Sequence, residues 1–312
     1  MAALFEKVVI VTRQTELDEL VHRFNTPAQA RFYLEQGGHS FDDIQLAHDR
    51  YMRVVHAVIE SLSASQKHQR IDRSIVPQFT FADDDLVVTI GQDGLVSNTA
   101  KYLHGQPVFA INPDPDRYDG ILLPFNASEF RPNLAAALKG ELNESTVTLA
   151  TAHSSDGQEL LAFNDFFIGA RSHVSARDEI EVGGRREAQS SSGIIVSTGA
   201  GSTGWLQSVY AGAAGVIQAY GGTYVPPPDN GRLPWDAEEL VYSVREPFPS
   251  QVTQSTLVHG HLTRETPLTV TSRMPVNGVI FSDGVEADYI NFNSGTTLTI
   301  GPAEQKTVLL TH

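Results

Sequence analysis

An α/β domain followed by an all-β domain, a sandwich or barrel, is the architecture this sequence predicts. Three observations carry it. Two buried apolar runs roughly a hundred residues apart each empty into a glycine-rich turn, Val87–Gly94 and Gly193–Trp205. Apolar runs alternate with helical stripes up to Ala137. From Ser145 onward, short β-rich segments dominate.

The elements follow in order. Val8–Val11 is a buried-strand candidate. Thr26–Glu35 and Ile44–Leu62 read as helices, the second with Ile44, Ala47, Tyr51, Val55, Val58, Ile59 and Leu62 at helical spacing. Asp84–Ile90 is a strand, followed by the Gly91 turn and a helix through Leu103. Val108–Asn112 is another strand, closed by Asn112-Pro113-Asp114-Pro115-Asp116. Strand, helix, strand, glycine turn, helix, strand is the order of a parallel α/β layer. Thr146–Ala152, Glu159–Ile168, Glu179–Val182 and Gly193–Ser197 open the β-rich half. Leu240–Val244, Ser255–His259, Leu268–Thr271, Gly278–Phe281, Tyr289–Phe292 and Thr296–Ile300 continue it. One helix interrupts, with Val209, Ala213, Val216, Ile217 and Tyr220 as its apolar stripe, and Pro226–Pro228 reads as a surface loop. The predicted domains are 1–137, with a tail 301–312 packing back onto it, and 138–300.

Composition bounds the function. The 312 residues carry a formal net charge of −15, which excludes non-specific binding to nucleic acid or to anionic lipid. No apolar run approaches the roughly 18–20 residues a membrane span needs. The amino-terminal residues form neither a secretory signal nor an Arg-rich transit peptide, so a cytoplasmic protein is expected. With no cysteine, disulfides, thiolate metal sites and a cysteine nucleophile are all excluded. An acidic protein acting on an anion must gather positive potential locally, from Mg²⁺, helix N-termini or arginines. Arg171, Arg177, Arg185 and Arg186 form the densest basic stretch, and a solvated strand-and-turn face is its plainer reading.

The glycine turns carry the chemistry. A strand ending in such a turn presents backbone N–H groups, for which phosphate is a common guest. In Gly91-Gln92-Asp93-Gly94, Asp93 is placed to accept a proton from an attacking hydroxyl, or to position that hydroxyl and Mg²⁺; an ordinary Asp-Gly turn is the alternative. Asn164-Asp165, a polar pair amid apolar sequence, either makes internal hydrogen bonds or reads a ligand such as adenine or ribose. Thr198 through Trp205 offers close backbone approach, hydroxyls and an aromatic ring, while Ser202 or Thr203 alternatively caps the following helix.

This ordered set resembles the NAD kinase family, whose members share a Gly-Gly-Asp-Gly-Thr turn, an Asn-Glu pair and a Thr-x-x-Gly-Ser-Thr-Ala-Tyr-like loop. It looks closest to the mitochondrial-type branch. Supporting segments are Phe109–Arg117, Ser191-Ser192-Gly193 and Ser243–Phe248, and the likeness runs from about Lys7 to Leu310. The resemblance implies a Rossmann-like α/β domain and a β-sandwich domain, NAD at the cleft where the two glycine turns meet, and a homodimer or homotetramer. It implies transfer of the γ-phosphoryl of ATP, with Mg²⁺, to the 2′-hydroxyl of the adenosine ribose. Asp93 matches the base, Gly91, Gln92 and Gly94 the phosphate turn, and Asn164 and Asp165 the dinucleotide-holding pair. Thr198, Ser202, Thr203, Gly204 and Trp205 match the loop that contacts adenine and ribose; Asp283 and Asn112 are further candidates. No protein-held metal site is implied. The chain departs from the pattern at four places. Gln92 replaces the second glycine, Leu95 the threonine and Asp165 the glutamate, and Ser192 stands where many members carry an acid. A side chain at 92 is expected to crowd a phosphate or a positive φ. Substrate binding is thus better preserved than donor binding. A non-catalytic dinucleotide sensor, or a kinase of the same superfold for a sugar or lipid hydroxyl, are the alternatives.

Overall fold

A computed structural model describes residues 4–62 and 64–312. The chain divides into two compact units, Met1–Ser145 with Val308–His312, and Thr146–Thr307.

Unit 1 is a parallel sheet with helices. β1 (Lys7–Thr12) leads to α1 (Glu16–Phe24), α2 (Pro27–Gln36) and α3 (Phe41–Ser61) before β2 (Lys67–Asp72). β3 (Asp85–Ile90), α4 (Asp93–Ala100), β4 (Pro107–Asn112), β5 (Phe125–Asn126) and α5 (Phe130–Ala137) complete it. The strand order is β2-β1-β3-β4, all parallel, and β4 also pairs with β5 and with Val308 and Leu309 from the chain's end. β1 and β3 are continuous apolar runs because both faces are covered; Val8–Val11 and Leu86–Val88 are fully buried. Four elements of this unit, α1, β2, β5 and α5, were not foreseen. β2 reads Lys-His-Gln-Arg-Ile-Asp and is exposed over its first four residues, as an edge strand paired only to β1 can be. α1 is set by a capping box in which Thr15 accepts from Asp18 N–H and the Asp18 side chain accepts from Thr15 N–H. α4 stops at Ala100, and turn bonds carry on to Leu103.

Unit 2 is a sandwich. Its strands are β6 (Asn143–Ser154), β7 (Glu159–Ala162), β8 (Asp165–Ala170), β9 (Ala176–Val182), β10 (Arg185–Ser191) and β11 (Ile194–Ser197). After α6 (Trp205–Ala219) come β12 (Leu240–Val244), β13 (His259–Leu262), β14 (Leu268–Ser272), β15 (Gly278–Ser282), β16 (Val285–Asn291) and β17 (Thr297–Thr311). One layer runs β10-β9-β14-β17, with the β6–β7 hairpin beside β17. The other is six-stranded and antiparallel, β13-β12-β11-β8-β15-β16. Alternate residues of both layers meet in one core: Phe166, Ile168, Ile194, Val196 and Ile280 from the second face Ile180, Val270, Leu298 and Ile300 from the first. The segment expected as one strand, Glu159–Ile168, is two. The chain leaves β7 in the first layer and enters β8 in the second, with Phe163 and Asn164 as the crossing.

The apolar stripe expected on α6 is not buried. Leu206 alone is fully enclosed, whereas Val216 is 62% and Tyr220 91% exposed. Among the described residues, no helix is long and apolar enough to cross a membrane.

These burials set a contrast for chemical denaturation. Phe166→Ala is expected to cost about 3–5 kcal/mol, the usual range for a buried phenylalanine, and Val216→Ala about 0.5 kcal/mol or less. Comparable losses for the two would contradict the packing assigned to α6.

Candidate functional site

The residues singled out by sequence fall into both units. In unit 1, Gly91, Gln92, Asp93 and Gly94 form the turn from β3 into α4. Gln92 is the helix N-cap at φ −94°, a conformation open to any residue, so the expected strain from a missing glycine does not arise. Its side chain is exposed and makes no cap hydrogen bond. Leu95, in place of the threonine, is 4% exposed and folds back over Gly91. A Cβ at Gly91 would lie 2.8 Å from Leu95 Cδ2, so the glycine makes room for the leucine rather than for a positive φ. Asp93 is partly exposed, and its Oδ1 accepts from Leu122 N–H at 2.7 Å. Gly94 is open to solvent. Asn112 is buried at the end of β4; its Nδ2 donates to Tyr118 O at 2.9 Å and its Oδ1 accepts from Asp114 N–H at 3.0 Å.

In unit 2 the remaining residues converge on the crossing from β7 to β8. Asp283 and Gly284 form the hairpin turn between β15 and β16, both at positive φ (54° and 71°). From that turn the Asp283 carboxylate accepts from the N–H groups of Phe163 (3.0 Å), Asn164 (2.6 Å) and Asp165 (3.4 Å). Crossing between layers breaks the ladder, and Asp283 supplies the acceptor the first two groups lack. Asp283 N–H in turn donates to Asp165 O at 3.0 Å. On the other side, Thr198 Oγ1 donates to Phe163 O (2.6 Å) and Asn164 O (3.1 Å) and accepts from Gly201 N–H. Thr198 N–H also donates to Asn164 O, at 2.9 Å. A Cβ on Gly201 would sit 2.0 Å from Asn164 O, and one on Gly199 1.9 Å from Pro234 O. The glycines permit this close approach of backbones.

The backbone of the pair is therefore fully engaged, while neither the Asn164 nor the Asp165 side chain has a hydrogen-bond partner among the described residues. Burial, with the Asp283 charge second, pushes the Asp165 carboxyl up to about 7. Of the internal-bond and ligand readings for this pair, the side chains are free for the second.

The loop beyond β11 uses its hydroxyls internally. Ser202 is fully buried, donating to Gly199 O at 2.7 Å and accepting from Leu233 N–H at 3.0 Å. Gly204 is the N-cap of α6 and no side chain caps that helix, so neither Ser202 nor Thr203 has the capping role. Thr203 and Gly204 are exposed. The Trp205 ring stacks on Phe167 at 5.8 Å and 9°, with the Arg245 guanidinium 5.3 Å from its centroid.

Trp205 opens onto a cavity of about 640 Å³ on the outer face of the six-stranded sheet, within the size range of small-molecule sites. Phe167, Phe281, Tyr289, Arg171 and Arg245 line it with Trp205. Phe167 and Phe281 are register partners on β8 and β15. Arg171 lies 4.8 Å from the Tyr289 ring and donates to its hydroxyl at 3.2 Å. Sequence reasoning found Trp205 but missed Phe167, Phe281 and Tyr289. The alternation of β8, with Phe166 inward and Phe167 outward, was the available signal. Of the basic stretch, Arg171 belongs to the cavity, whereas Arg186 pairs with Glu179 (3.1 Å) and Glu181 (2.5 Å) on the solvated strand face.

The raised Asp165 value has a consequence for stability. Between pH 3.8 and about 7 the folded chain holds a proton there that the unfolded chain releases, so this group's contribution is full below 3.8 and lost as pH rises through 7. Asp165→Asn is expected to lose less stability than wild type from pH 4 to 7.5 in denaturant titrations. Asp178, also pushed up to about 7 by burial, contributes equally to both proteins. Parallel pH profiles would remove the shift from Asp165.

No family model matches the chain. It is 27% identical over 233 residues to the NAD kinase of Brucella suis, covering 73% of this chain and 79% of the relative. Its fold matches a crystal structure of an NAD kinase from Archaeoglobus fulgidus in complex with ATP, with TM-score 0.55, 16% identity, and coverage of 97% and 92% of the two chains. It also matches yeast NADH kinase complexed with NADH, with TM-score 0.59, 14% identity, and coverage of 98% and 83%. In sequence over about three quarters of its length, and in fold over nearly all of it, this chain is NAD kinase-like.

Proposed function

We propose that the chain phosphorylates NAD at the 2′-hydroxyl of its adenosine ribose, with ATP as donor and Mg²⁺ accompanying it. The observation that carries this reading is the Asn164–Asp165 pair, with its backbone locked by Asp283 and Thr198 and its side chains unengaged. Polar side chains held in place without internal partners are suited to ligand hydroxyl and amino groups. The aromatic and arginine-lined cavity beside Trp205 suits a base together with phosphates. The names of the similar proteins, an NAD kinase of known sequence and solved kinases bound to ATP and to NADH, support the same substrates.

Asp93 is the proposed base. Leu122 N–H holds one carboxylate oxygen and the other is left for the acceptor hydroxyl. The 2′-oxygen attacks the γ-phosphorus as its proton passes to Asp93, the bond to the bridging oxygen breaks, and ADP leaves. Among the described residues, no group of three or more His, Asp or Glu side chains forms a metal cage. Mg²⁺ accompanying a nucleotide would be held chiefly by the donor's phosphates and water, which leaves the free Asp93 oxygen to the acceptor hydroxyl. When bound, the ion neutralises charge on the transferring phosphates. Residues 205–228 contain no charged side chain and include the exposed face of α6; in a chain of net charge −15 this is the face suited to the proposed homo-oligomer.

The test is formation of NADP⁺ from NAD⁺ and Mg-ATP. Wild type is expected to turn over, and Asp93→Asn to lose roughly a hundredfold or more in kcat while retaining NAD⁺ affinity. Wild-type turnover in Asp93→Asn would remove Asp93 from the mechanism. No NADP⁺ from wild type, with NAD⁺ still bound, would make the protein a dinucleotide-binding module.

A further inference from the structure

The β13 edge of the six-stranded sheet carries a pair of histidines that the kinase reading does not use. The sequence there is Val258-His259-Gly260-His261-Leu262. Residues two apart on a strand project from the same face, roughly 6.6 Å from one another along it. The register decides which face. Leu240, Tyr242 and Val244 of β12 lie in the sandwich core, and Tyr242 pairs with Gly260. A Cβ on Gly260 would lie 2.8 Å from the Tyr242 ring, so glycine holds this inward position. His259 and His261 pair with Ser243 and Val241 and therefore project from the outer face. β13 is hydrogen-bonded to β12 alone and ends the sheet, and both imidazoles are exposed.

The two rings are held differently. His261 Nδ1 lies 3.1 Å from Oε2 of Glu239, the residue just before β12. A carboxylate beside Nδ1 favours the proton there, fixes the orientation of the ring and leaves the Nε2 lone pair free, as carboxylates behind metal-bound histidines do. The neighbouring Glu238 is occupied by Lys306 and Arg264, whereas Glu239 pairs with no Lys or Arg among the described residues. The His259 ring makes no hydrogen bond or ion pair among the described residues. It meets the Tyr210 ring of α6 edge-on, with centroids 5.7 Å apart at 71°.

Two imidazoles spaced in this way on one strand face are a bidentate nitrogen donor. Such nitrogens suit zinc, copper and nickel, whereas magnesium is a hard ion that takes oxygen ligands. A closed structural zinc site uses four protein ligands. Here the protein supplies two, in keeping with the absence among the described residues of any larger metal-holding group of His, Asp or Glu. The remaining positions fall to water, which the edge strand leaves room for.

We propose that His259 and His261, with Glu239 orienting His261, bind a zinc-class dication in an open, exchangeable site at the β13 edge. The ion takes His261 through Nε2 and His259 through a ring nitrogen, and it braces the last strand of the sheet. The site is separate from Asp93 and from the Mg²⁺ of the phosphoryl donor, so the inference stands whether or not the kinase reading does.

The test is calorimetry of zinc chloride with the full chain, stripped of metal by a chelator and held near neutral pH in a non-coordinating buffer. Wild type is compared with His259→Ala, His261→Ala, Glu239→Gln and His153→Ala, the last removing an exposed histidine of β6 as a control. Wild type is expected to bind one zinc ion per chain and to gain melting temperature, because a ligand held only by the folded state stabilises it. Glu239→Gln is expected to weaken zinc about tenfold, and each β13 histidine variant by more, with the melting shift lost. His153→Ala matches wild type, and excess magnesium leaves zinc binding unchanged. No zinc binding by wild type, or full affinity retained in both His259→Ala and His261→Ala, overturns the proposal. Displacement of the zinc by magnesium overturns it as well, and full affinity in Glu239→Gln overturns the orienting role of that carboxylate.

Discussion

Unit 2 depends on a carboxylate placed where the chain changes sheets. A strand that leaves one layer of a sandwich for the other gives up its ladder partners, and each buried N–H left without an acceptor costs about 1–3 kcal/mol. Asp283 meets this need from a neighbouring hairpin, accepting from Phe163, Asn164 and Asp165 together. The turn that carries it requires two consecutive positive φ values, which the Asp-Gly sequence supplies. Thr198 and Gly201 close the other side, one by bonding two carbonyls and the other by lacking a Cβ. Two segments far apart in sequence thus fix one dipeptide, and its side chains are what remains over for a ligand.

The same solution recurs in unit 1 with different chemistry. Tyr51 bonds across from the end of β1 to the end of β3, and Asn112 organises the loop after β4. Buried, satisfied polar groups hold the frame, and partly exposed groups with unused bonding capacity face outward: Asp93, Gln92 and Arg13 here, Asn164 and Asp165 there. On the proposed function, this division lets an acidic chain serve an anionic substrate. Positive charge is concentrated at Arg13 and Arg117 in one unit and at Arg171 and Arg245 in the other, while Arg186 is spent on glutamates.

Much of the architecture was legible in the sequence because burial on both faces leaves an unmistakable trace. β1, β3, β4 and β11 are uninterrupted apolar runs, and they are the interior strands of their layers. β2 was illegible because an exposed edge strand carries no apolar pattern. The stripe on α6 was legible but misleading, since periodicity reports an apolar face and not what covers it. At the site, the order of motifs drew attention to Asp93, Asn164, Asp165 and the Thr198–Trp205 loop. Their division of labour was hidden. That Thr198 and Ser202 spend their hydroxyls on backbone, and that Asp283 is the keystone of the crossing, depends on contacts between residues more than a hundred or about thirty positions apart. The change of sheet at Phe163 and Asn164 was hidden because apolar runs lie on both sides of the Asn164-Asp165 pair, which marked a polar spot but not a crossing.

On the proposed function, the Asp283 interlock presents Asn164 and Asp165 to the dinucleotide. Calorimetric titration of NAD⁺ and of pyrophosphate into Asp283→Ala, at a temperature where the variant remains folded, tests it most directly. NAD⁺ affinity is expected to fall about tenfold or more while pyrophosphate affinity is unchanged. Wild-type NAD⁺ affinity in a folded Asp283→Ala would contradict it and make the interlock a matter of stability alone.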